Sequence, residues 1–191
     1  AFHPQNEKTI YFSDKKSTDG GITFHEYALR PDGIGILQVV VSPSNGETVY
    51  LRTDRSLYRS TNGGDTWSKL PIHTPNVLQT LLVAPSNPNI LYMGSFDGVY
   101  TSSNAGASWV HYGKNSGVLD PVAVDPANPL AVFAIYYGFL RLSTDAGKSF
   151  TKFDMSGLPA DVNLSSGVLD TLNPRTLHLA TSNGIYSYTH P

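Results

Sequence analysis

The segment Ser60-Thr61-Asn62-Gly63-Gly64-Asp65-Thr66-Trp67 decides the fold, because its pattern returns three more times in the chain. The shared pattern is Ser-x-Asp/Asn-x-Gly-x-Thr/Ser-Trp/Phe, and the other copies occupy 17–24, 102–109 and 143–150. Their closing aromatic residues follow one another after 43, 42 and 41 positions. A repeat of this length suits a unit of four short strands.

A second marker, built on Pro-x-Asn, repeats in phase with the first. Its Asn residues are Asn6, Asn45, Asn87, Asn128 and Asn173, which recur after 39, 42, 41 and 45 positions. In the last copy Thr171 replaces the first Pro. Because Pro cannot donate to a strand ladder and Asn readily forms an Asx turn, the marker predicts a turn between two strands.

The first pattern is predicted to be a tight hairpin that serves the fold. Its Gly permits positive φ, its Asp or Asn accepts hydrogen bonds from nearby N–H groups, and its aromatic residue packs between neighbouring sheets. These structural positions are Ser17, Asp19, Gly21, Phe24, Ser60, Asn62, Gly64, Trp67, Ser102, Asn104, Gly106, Trp109, Ser143, Asp145, Gly147 and Phe150.

Strand-like runs fill the intervals between the markers. In the third repeat they cover 78–84, 90–95, 98–102 and 108–112, which we name strands A, B, C and D. The Pro-Asn turn then joins A to B and the hairpin joins C to D. The apolar strand A is predicted to be innermost and buried on both faces. With 17 Gly, 13 Pro and no helix-period segment, the chain is predicted to be all-β.

The two markers together resemble those of the Asp-box (BNR) repeat β-propeller superfamily. Its members include sialidases, xyloglucan-cleaving glycoside hydrolases, sortilin-type receptors and photosystem assembly factors. The Pro-x-Asn-Pro pattern is most similar to the xyloglucanase, sortilin and assembly-factor branches. The resemblance implies a β-propeller of four-stranded antiparallel blades, with the Asp box on the face away from the ligand site. Asp19, Asn62, Asn104 and Asp145 are then structural rather than catalytic.

About five blades are represented, as one propeller region over 1–191. The approximate blade ranges are 1–34, 35–76, 77–117, 118–162 and 163–191. The first and last are expected to be unfinished, since the first lacks most of strand A and the last stops where a fifth box would begin. Residues beyond the ends or another chain could complete the propeller, because open sheet edges invite pairing.

The B-to-C and D-to-A loops are expected to gather on one face, where propellers usually hold ligands. Acidic, basic and aromatic side chains that meet there would suit a glycan or a protein partner. The candidate ligand-binding residues are Asp54, Arg55, Phe96, Asp97, Tyr136 and Tyr137. Ordinary polar turns are the alternative interpretation of the same residues.

Catalysis is the less favoured hypothesis, and no catalytic residue is assigned. Asp54 and Asp97 are the only carboxylate pair that could reach the roughly 6.5–9.5 Å separation of an inverting glycosidase. The Arg-Ile-Pro motif and the arginine triad that a sialidase would need are not found in the sequence. The leading hypothesis is a non-enzymatic binding or scaffold module; a fragment of a secreted glycoside hydrolase and an assembly factor of a larger complex are the alternatives.

Composition excludes several other classes. The formal charge is -2 and no basic run exceeds Lys15-Lys16, so no nucleic-acid partner is expected. The chain has no Cys, its six His show no ligand spacing, and neither a metal nor another cofactor is predicted. His25 and His111 are interpreted as strand surface. No membrane span and no signal peptide is visible, and an extracellular or periplasmic location is preferred to a cytoplasmic one.

Overall fold

The structure is a computed structural model that describes residues 1–27, 29, 35–74, 76–113, 117–155, 162–170 and 176–189. These residues form nineteen strands in five antiparallel sheets and contain no helix. Four sheets have four strands and the fifth has three. The predicted all-β architecture of four-stranded antiparallel blades is therefore confirmed.

The strands are grouped by their position in the sheet. Position A holds β1 (Phe2–His3), β5 (Gln38–Ser42), β9 (Leu78–Val83), β13 (Asp120–Val124) and β17 (Leu164–Leu169). Position B holds β2 (Asn6–Phe12), β6 (Asn45–Arg52), β10 (Leu91–Ser95), β14 (Val132–Tyr136) and β18 (Thr176–Thr181). Position C holds β3 (Lys15–Ser17), β7 (Leu57–Ser60), β11 (Gly98–Ser102), β15 (Phe139–Ser143) and β19 (Gly184–Thr189). Position D holds β4 (His25–Glu26), β8 (Ser68–Lys69), β12 (Val110–Tyr112) and β16 (Thr151–Lys152).

The sheets follow one another through their A strands. Each sheet has the order A-B-C-D, so that consecutive strands form hairpins. Strand β5 contacts β9, β9 contacts β13, and β13 contacts β17. Strand A is thus innermost, as the sequence predicts.

Strand A is less buried than expected. In β9, Leu78, Leu81 and Val83 are buried but the residues between them are half-buried, whereas every residue of β10 and β11 is buried. The prediction that strand A is covered on both faces is wrong. One side of the inner strand borders the space around the axis, while strands B and C are sandwiched between neighbouring sheets.

Each Asp box is closed by the same three hydrogen bonds. In the second box, the Ser60 hydroxyl donates to Asn62 Oδ1 at 2.9 Å and accepts from the Gly64 N–H at 2.8 Å. Asn62 Oδ1 also accepts from the Thr66 N–H at 2.9 Å. The other three boxes repeat these bonds. Residues four and five of every box have positive φ, which gives the hairpin its tight turn.

The two sequence markers are bonded to each other. The donor is the N–H of the residue that follows the box Asp or Asn. The acceptor is the carbonyl of the residue two positions after the Asn of the Pro-Asn turn. These bonds join Gly20 to Lys8, Gly63 to Glu47, Ala105 to Asn89 and Ala146 to Leu130, at 2.8–3.0 Å. The turn Asn accepts from the N–H of that same second residue in an Asx turn. The two markers repeat in phase because this hydrogen bond joins one of each in every sheet. The fifth turn, 171–174, lies outside the described residues.

The box carbonyl also binds the preceding sheet. Tyr11 Oη donates to the Gly63 carbonyl at 3.2 Å, Arg59 Nη1 to the Ala105 carbonyl at 3.0 Å, and Thr101 Oγ1 to the Ala146 carbonyl at 3.0 Å. All three acceptors occupy the same box position. One residue thus bonds its own sheet through its N–H and the previous sheet through its carbonyl.

The closing aromatic side chains are half-buried between sheets. The Trp67 ring meets Tyr27 of the first repeat edge-on, with centroids 5.3 Å apart. Trp109 packs on a cluster that joins Leu70 of the second repeat to Leu91 of the third, and its Nε1 donates to the Gly106 carbonyl at 3.1 Å. Phe24 is 41% exposed, since no described sheet precedes it.

Replacement of Trp109 by Ala is expected to destabilise the fold by about 3 kcal/mol, near the lower end for a core aromatic residue because the ring is only half-buried. Phe24→Ala is the matched control, because it removes the equivalent ring where no sheet covers it, and should cost about 1 kcal/mol. Urea unfolding followed by fluorescence of the remaining Trp67, or by circular dichroism, measures both. Equal losses for the two variants would contradict packing between sheets.

The Asp boxes are also expected to make stability depend on acid. Hydrogen bonds from Ser149 and Ser143 lower the pKa of Asp145 to about 2, and bonds from Thr23 and Ser17 lower the pKa of Asp19 below its usual range. A carboxyl with a lowered native pKa contributes stability above its unfolded pKa and loses it as the pH falls through the native value. D19N/D145N should therefore lose less stability than the natural chain between about pH 4 and 2.

The control for the acid prediction is N62D/N104D, which introduces a carboxyl into each of the two boxes that carry Asn. It should lose more stability than the natural chain over the same pH range. Urea unfolding at closely spaced pH values gives the three curves. Parallel curves would show that the box carboxylates do not carry the effect.

Candidate functional site

The B-to-C turns lie at the end of the sheets opposite the Asp boxes and Pro-Asn turns. Asp54 and Arg55 lie between β6 and β7, and Phe96 and Asp97 lie between β10 and β11. Tyr136 ends β14, and Tyr137 follows it in the turn to β15. The structure places all six candidate residues at or beside these turns. We call this end of the molecule the tip face.

Exposed aromatic rings mark the tip face. Phe96 is 50% exposed and Tyr137 is 68% exposed. Phe12, at the end of β2 before the turn Ser13-Asp14, is exposed to the same extent as Tyr137, and the sequence analysis missed it. Its signal was an aromatic residue directly before a B-to-C turn. Rings exposed in this way provide apolar contact area for a partner.

Tyr137 is held outward in a strained conformation. Its φ is 48°, which a bulky residue rarely adopts. The Tyr136 ring lies nearly perpendicular to it with centroids 4.6 Å apart, and the Arg141 guanidinium lies 5.5 Å from the Tyr136 centroid. The Tyr137 hydroxyl lies so close to Gly117 that a Cβ there would stand 2.7 Å away. Strain maintained by surrounding contacts is a feature of functional positions.

The turn that carries Phe96 is fixed by its neighbours. Asp97 Oδ1 accepts from the Ser95 hydroxyl at 2.7 Å, and His111 Nε2 lies 3.1 Å from the Asp97 carbonyl oxygen. The His111 ring stacks on Tyr100 at 4.2 Å. His111 is therefore a half-buried support of this turn, and its interpretation as plain strand surface is wrong.

The tips of the third and fourth sheets flank one connection between those sheets. Ser95, next to Phe96, forms an isolated bridge with Leu119. Tyr137 contacts Gly117 of the same connection. Phe96 and Tyr137 therefore border one short stretch of chain.

A cleft of about 300 Å³ lies beside Tyr136. Leu119 and Phe150 form its apolar wall, and Arg141 and Lys148 contribute cationic groups. Within the described residues neither cation has an acidic partner. The tip face thus continues into a partly apolar cleft with positive charge.

A half-buried polar cluster supports the second tip. Arg52 Nη1 donates to the Leu78 carbonyl at 2.7 Å, and Arg52 Nε donates to Gln38 Oε1 at 3.2 Å. Gln38 in turn bonds both backbone groups of Leu81, so that it joins two sheets. Burial lowers the pKa of Arg52, while the Asp120 and Asp54 carboxylates oppose that shift. Of the two arginines in this region, the sequence had pointed only to Arg55.

Asp54 and Arg55 themselves differ in burial. Asp54 Oδ2 lies 3.7 Å from Arg55 Nε, and Asp54 Oδ1 is buried with no hydrogen-bond partner among the described residues. The Arg55 side chain is exposed. Asp54 and Asp97 therefore lie on neighbouring B-to-C turns, but Asp54 lies beside the exposed Arg55 whereas Asp97 accepts a hydrogen bond from Ser95.

An apolar cavity lies at the opposite end. It has a volume of about 400 Å³ and is bordered by A strands of neighbouring sheets, with Leu82, Val122 and Val168 among its lining residues. Pro43, Pro85 and Pro126 of the A-to-B turns form its rim. Among the described residues, no group of three or more His, Asp or Glu side chains could hold a metal ion. No helix in the described part of the chain is long and apolar enough to cross a membrane.

Comparison with known proteins agrees with this geometry. The profile of the BNR/Asp-box repeat matches residues 58–69, which contain the whole second box. The chain carries a BNR/Asp-box repeat. No curated protein sequence matches the chain significantly.

Solved β-propellers share the fold at low sequence identity. An ancestral GH74 enzyme is 21% identical with a TM-score of 0.75, over 93% of this chain and 26% of that chain. The GH74 xyloglucanase of Xanthomonas campestris is 19% identical with a TM-score of 0.73, over 98% and 35%. YCF48 bound to D1 peptide is 17% identical with a TM-score of 0.65, over 91% and 57%. This chain therefore spans about a quarter to a third of the length of these two GH74 enzymes and over half of the length of YCF48.

Replacement of Arg52 by Met is expected to destabilise the fold by about 2–3 kcal/mol, because it leaves the Leu78 carbonyl and a Gln38 lone pair unsatisfied. The matched control is Arg55→Met, which removes an exposed guanidinium and should change stability by less than about 0.5 kcal/mol. Urea unfolding measures both. Equal stabilities would contradict a supporting role for Arg52.

Proposed function

We propose that this chain is a non-enzymatic binding module that holds a segment of a protein partner on its tip face. The observation that carries the proposal is the exposed Tyr137, held at positive φ against Tyr136 and Gly117. A ring fixed in this way loses little conformational freedom when a partner covers it. Rigid, exposed aromatic residues supply most of the energy in many protein interfaces.

The surroundings of the ring support a peptide ligand. Phe96 and Tyr137 offer apolar area on either side of the connection between the third and fourth sheets. Arg141 and Lys148 offer cationic groups in the adjoining cleft. An extended segment with apolar and acidic side chains would match both features. YCF48, which shares the fold, has been solved bound to D1 peptide, and this supports a peptide as a ligand for such a propeller.

The carboxylates favour binding over catalysis. An inverting glycosidase needs one carboxyl group as acid and another as base across the sugar. Asp97 is already held by the Ser95 hydroxyl and lies beside His111. Asp54 is half-buried against Arg55 and the Arg52 cluster. These contacts support a structural role for both side chains.

A glycan is the second candidate ligand. Aromatic rings beside cationic and amide groups can also bind a sugar chain, and the cleft beside Tyr136 is large enough for a sugar ring. The GH74 enzymes share this fold, so the chain could also be part of a glycoside hydrolase. The protein hypothesis ranks first because Phe96 and Tyr137 are exposed, while the tip carboxylates Asp97 and Asp54 lie against neighbouring side chains.

The proposal is tested with peptide and glycan arrays probed in parallel with the natural chain, Phe96→Ala and Tyr137→Gly. Peptide binding by the natural chain should weaken at least about tenfold in each variant. Glycine tolerates positive φ, so Tyr137→Gly should stay within about 1 kcal/mol of the natural stability.

The control for the arrays is Leu130→Ala, which removes an exposed apolar side chain from the opposite end and should leave binding unchanged. Binding that survives both tip variants would place the site elsewhere. Glycan binding without peptide binding would favour the second candidate. Release of sugar from xyloglucan by the natural chain would overturn the non-enzymatic proposal.

A further inference from the structure

The cleft beside Tyr136 lies between the third and fourth sheets. Both sheets have a neighbour on each side, because β9 contacts β5 and β13, and β13 contacts β9 and β17. The volume of about 300 Å³ is at the lower end of the range for small-molecule sites. The lining residues are Gly113 after β12, Leu119 in the connection to β13, and Tyr136, Arg141, Lys148 and Phe150 of the fourth sheet.

The strand register decides which side chains of the fourth sheet face this cleft. Ala134 lies directly opposite Arg141, and Arg141 lies directly opposite Lys152. Directly opposed side chains share one face of an antiparallel sheet. Ala134 packs with Val99 of the third sheet, so this face is turned toward the third sheet. Arg141 and Lys152 therefore both point from the fourth sheet toward the third.

Three cations lie at or beside the cleft. Lys148, in the fourth Asp box, lines it together with Arg141. Lys152 is exposed, and its Nζ lies 6.0 Å from the ring centroid of Phe139. The ion pairs of the described residues include none of the three. Like charges directly opposite each other on neighbouring strands are destabilising, so an anion bound near Arg141 and Lys152 would relieve their repulsion.

The facing side of the third sheet carries no charge that balances these cations. Val99 faces the fourth sheet, and by register and alternation Thr101, Val110 and Tyr112 lie on the same side as Val99. None of the four side chains is acidic. The Thr101 hydroxyl already donates to the Ala146 carbonyl at 3.0 Å. The positive charge on the fourth sheet is therefore unmatched across this interface.

Other cations between sheets have a partner on the adjoining sheet. Lys16 Nζ lies 3.5 Å from Asp65 Oδ1 of the second sheet. Arg59 Nη1 donates to the Ala105 carbonyl of the third sheet at 3.0 Å. The interface between the third and fourth sheets departs from this pattern, and its unmatched charge lies at a cleft with room for a ligand.

The rest of the cleft is apolar and is fixed by packing. Leu119 is only 5% exposed and belongs to a cluster with Val99 and Ala134. The half-buried rings of Tyr136 and Phe150 pack against the same cluster. These side chains are held in place by two sheets, so a ligand that covers them has little conformational entropy to overcome.

We propose that this cleft binds a carboxylate that carries an aromatic or apolar group. The planar Arg141 guanidinium would hold the carboxylate through paired hydrogen bonds, with the Lys148 ammonium beside it. The apolar group would cover Leu119 and Phe150. Inorganic phosphate would match the cations but not the apolar wall, and an uncharged ligand would leave the repulsion between the cations in place. The site does not require the exposed rings of the tip face.

The test titrates phenylacetate into the natural chain and follows NMR spectra that include the Arg141 Nε–H resonance. Phenylacetate should bind saturably and shift this resonance. Phenylacetamide has nearly the same shape without the charge, and it should bind at least about tenfold more weakly, as should inorganic phosphate. Equal binding of phenylacetate and phenylacetamide would overturn the proposal, and so would a natural chain that does not bind phenylacetate.

Two variants locate the bound carboxylate. Arg141→Met and Lys148→Met should each weaken phenylacetate binding, the first at least about tenfold because it removes the bidentate donor. Lys148 is exposed, so its variant should fold, and thermal unfolding by circular dichroism verifies this for both. The matched control is Lys8→Met, which removes an exposed cation of the first sheet and should leave binding unchanged. Unchanged binding in both cleft variants would overturn the proposal.

The carboxylate can come from a free organic acid or from an acidic side chain of a partner segment on the tip face. Displacement by phenylacetate of a Glu-containing array peptide, but not of its Gln analogue, would support the site with the partner's side chain as the source. Peptide binding that is absent, or unchanged at saturating phenylacetate, would support it with a free acid. Peptide binding without phenylacetate binding would overturn the cleft site and leave the tip-face proposal intact.

Discussion

The residue that follows the box Asp or Asn holds the architecture together. Its N–H closes the sheet to which it belongs, and its carbonyl accepts a side chain from the preceding sheet, as Gly63 does with Glu47 and Tyr11. Both bonds require positive φ. Ala105 and Ala146 adopt this conformation although it costs free energy for a residue other than glycine. Such a cost persists where several bonds determine the backbone together.

Because of these bonds, one end of the sheets serves the fold, while the opposite end carries the candidate binding residues. Hairpins and Pro-Asn turns occupy one end and are tied to each other and to their neighbours, so little freedom remains there. The B-to-C turns at the other end are also bonded to the following repeat, as the Leu78 N–H donates to the Asp54 carbonyl and the Leu164 N–H to the Gly138 carbonyl, but their side chains differ from sheet to sheet. Phe96 and Tyr137 can therefore be exposed without loss of the packing that β10 and β14 provide.

At three interfaces between sheets the hydrogen-bond acceptor is the same box carbonyl, whereas the donor side chain differs. Tyr11, Arg59 and Thr101 differ in length and charge, yet all reach the same box carbonyl. Half-buried aromatic residues such as Trp109 fill the space beside these bonds. The pattern gives the repeats a shared geometry while each interface keeps its own chemistry.

The sequence by itself determined the repeat, the strand order and the hairpins, because Gly, Asn and Pro at fixed spacing act locally on the backbone. It also located Asp54, Phe96 and Tyr137 on turns, since turn position follows from the period. Only the tertiary structure decided that Tyr137 is strained and exposed, that His111 supports Asp97, and that the half-buried Arg52 bonds the next sheet. Those properties arise from contacts between segments far apart in the chain, which no local pattern encodes.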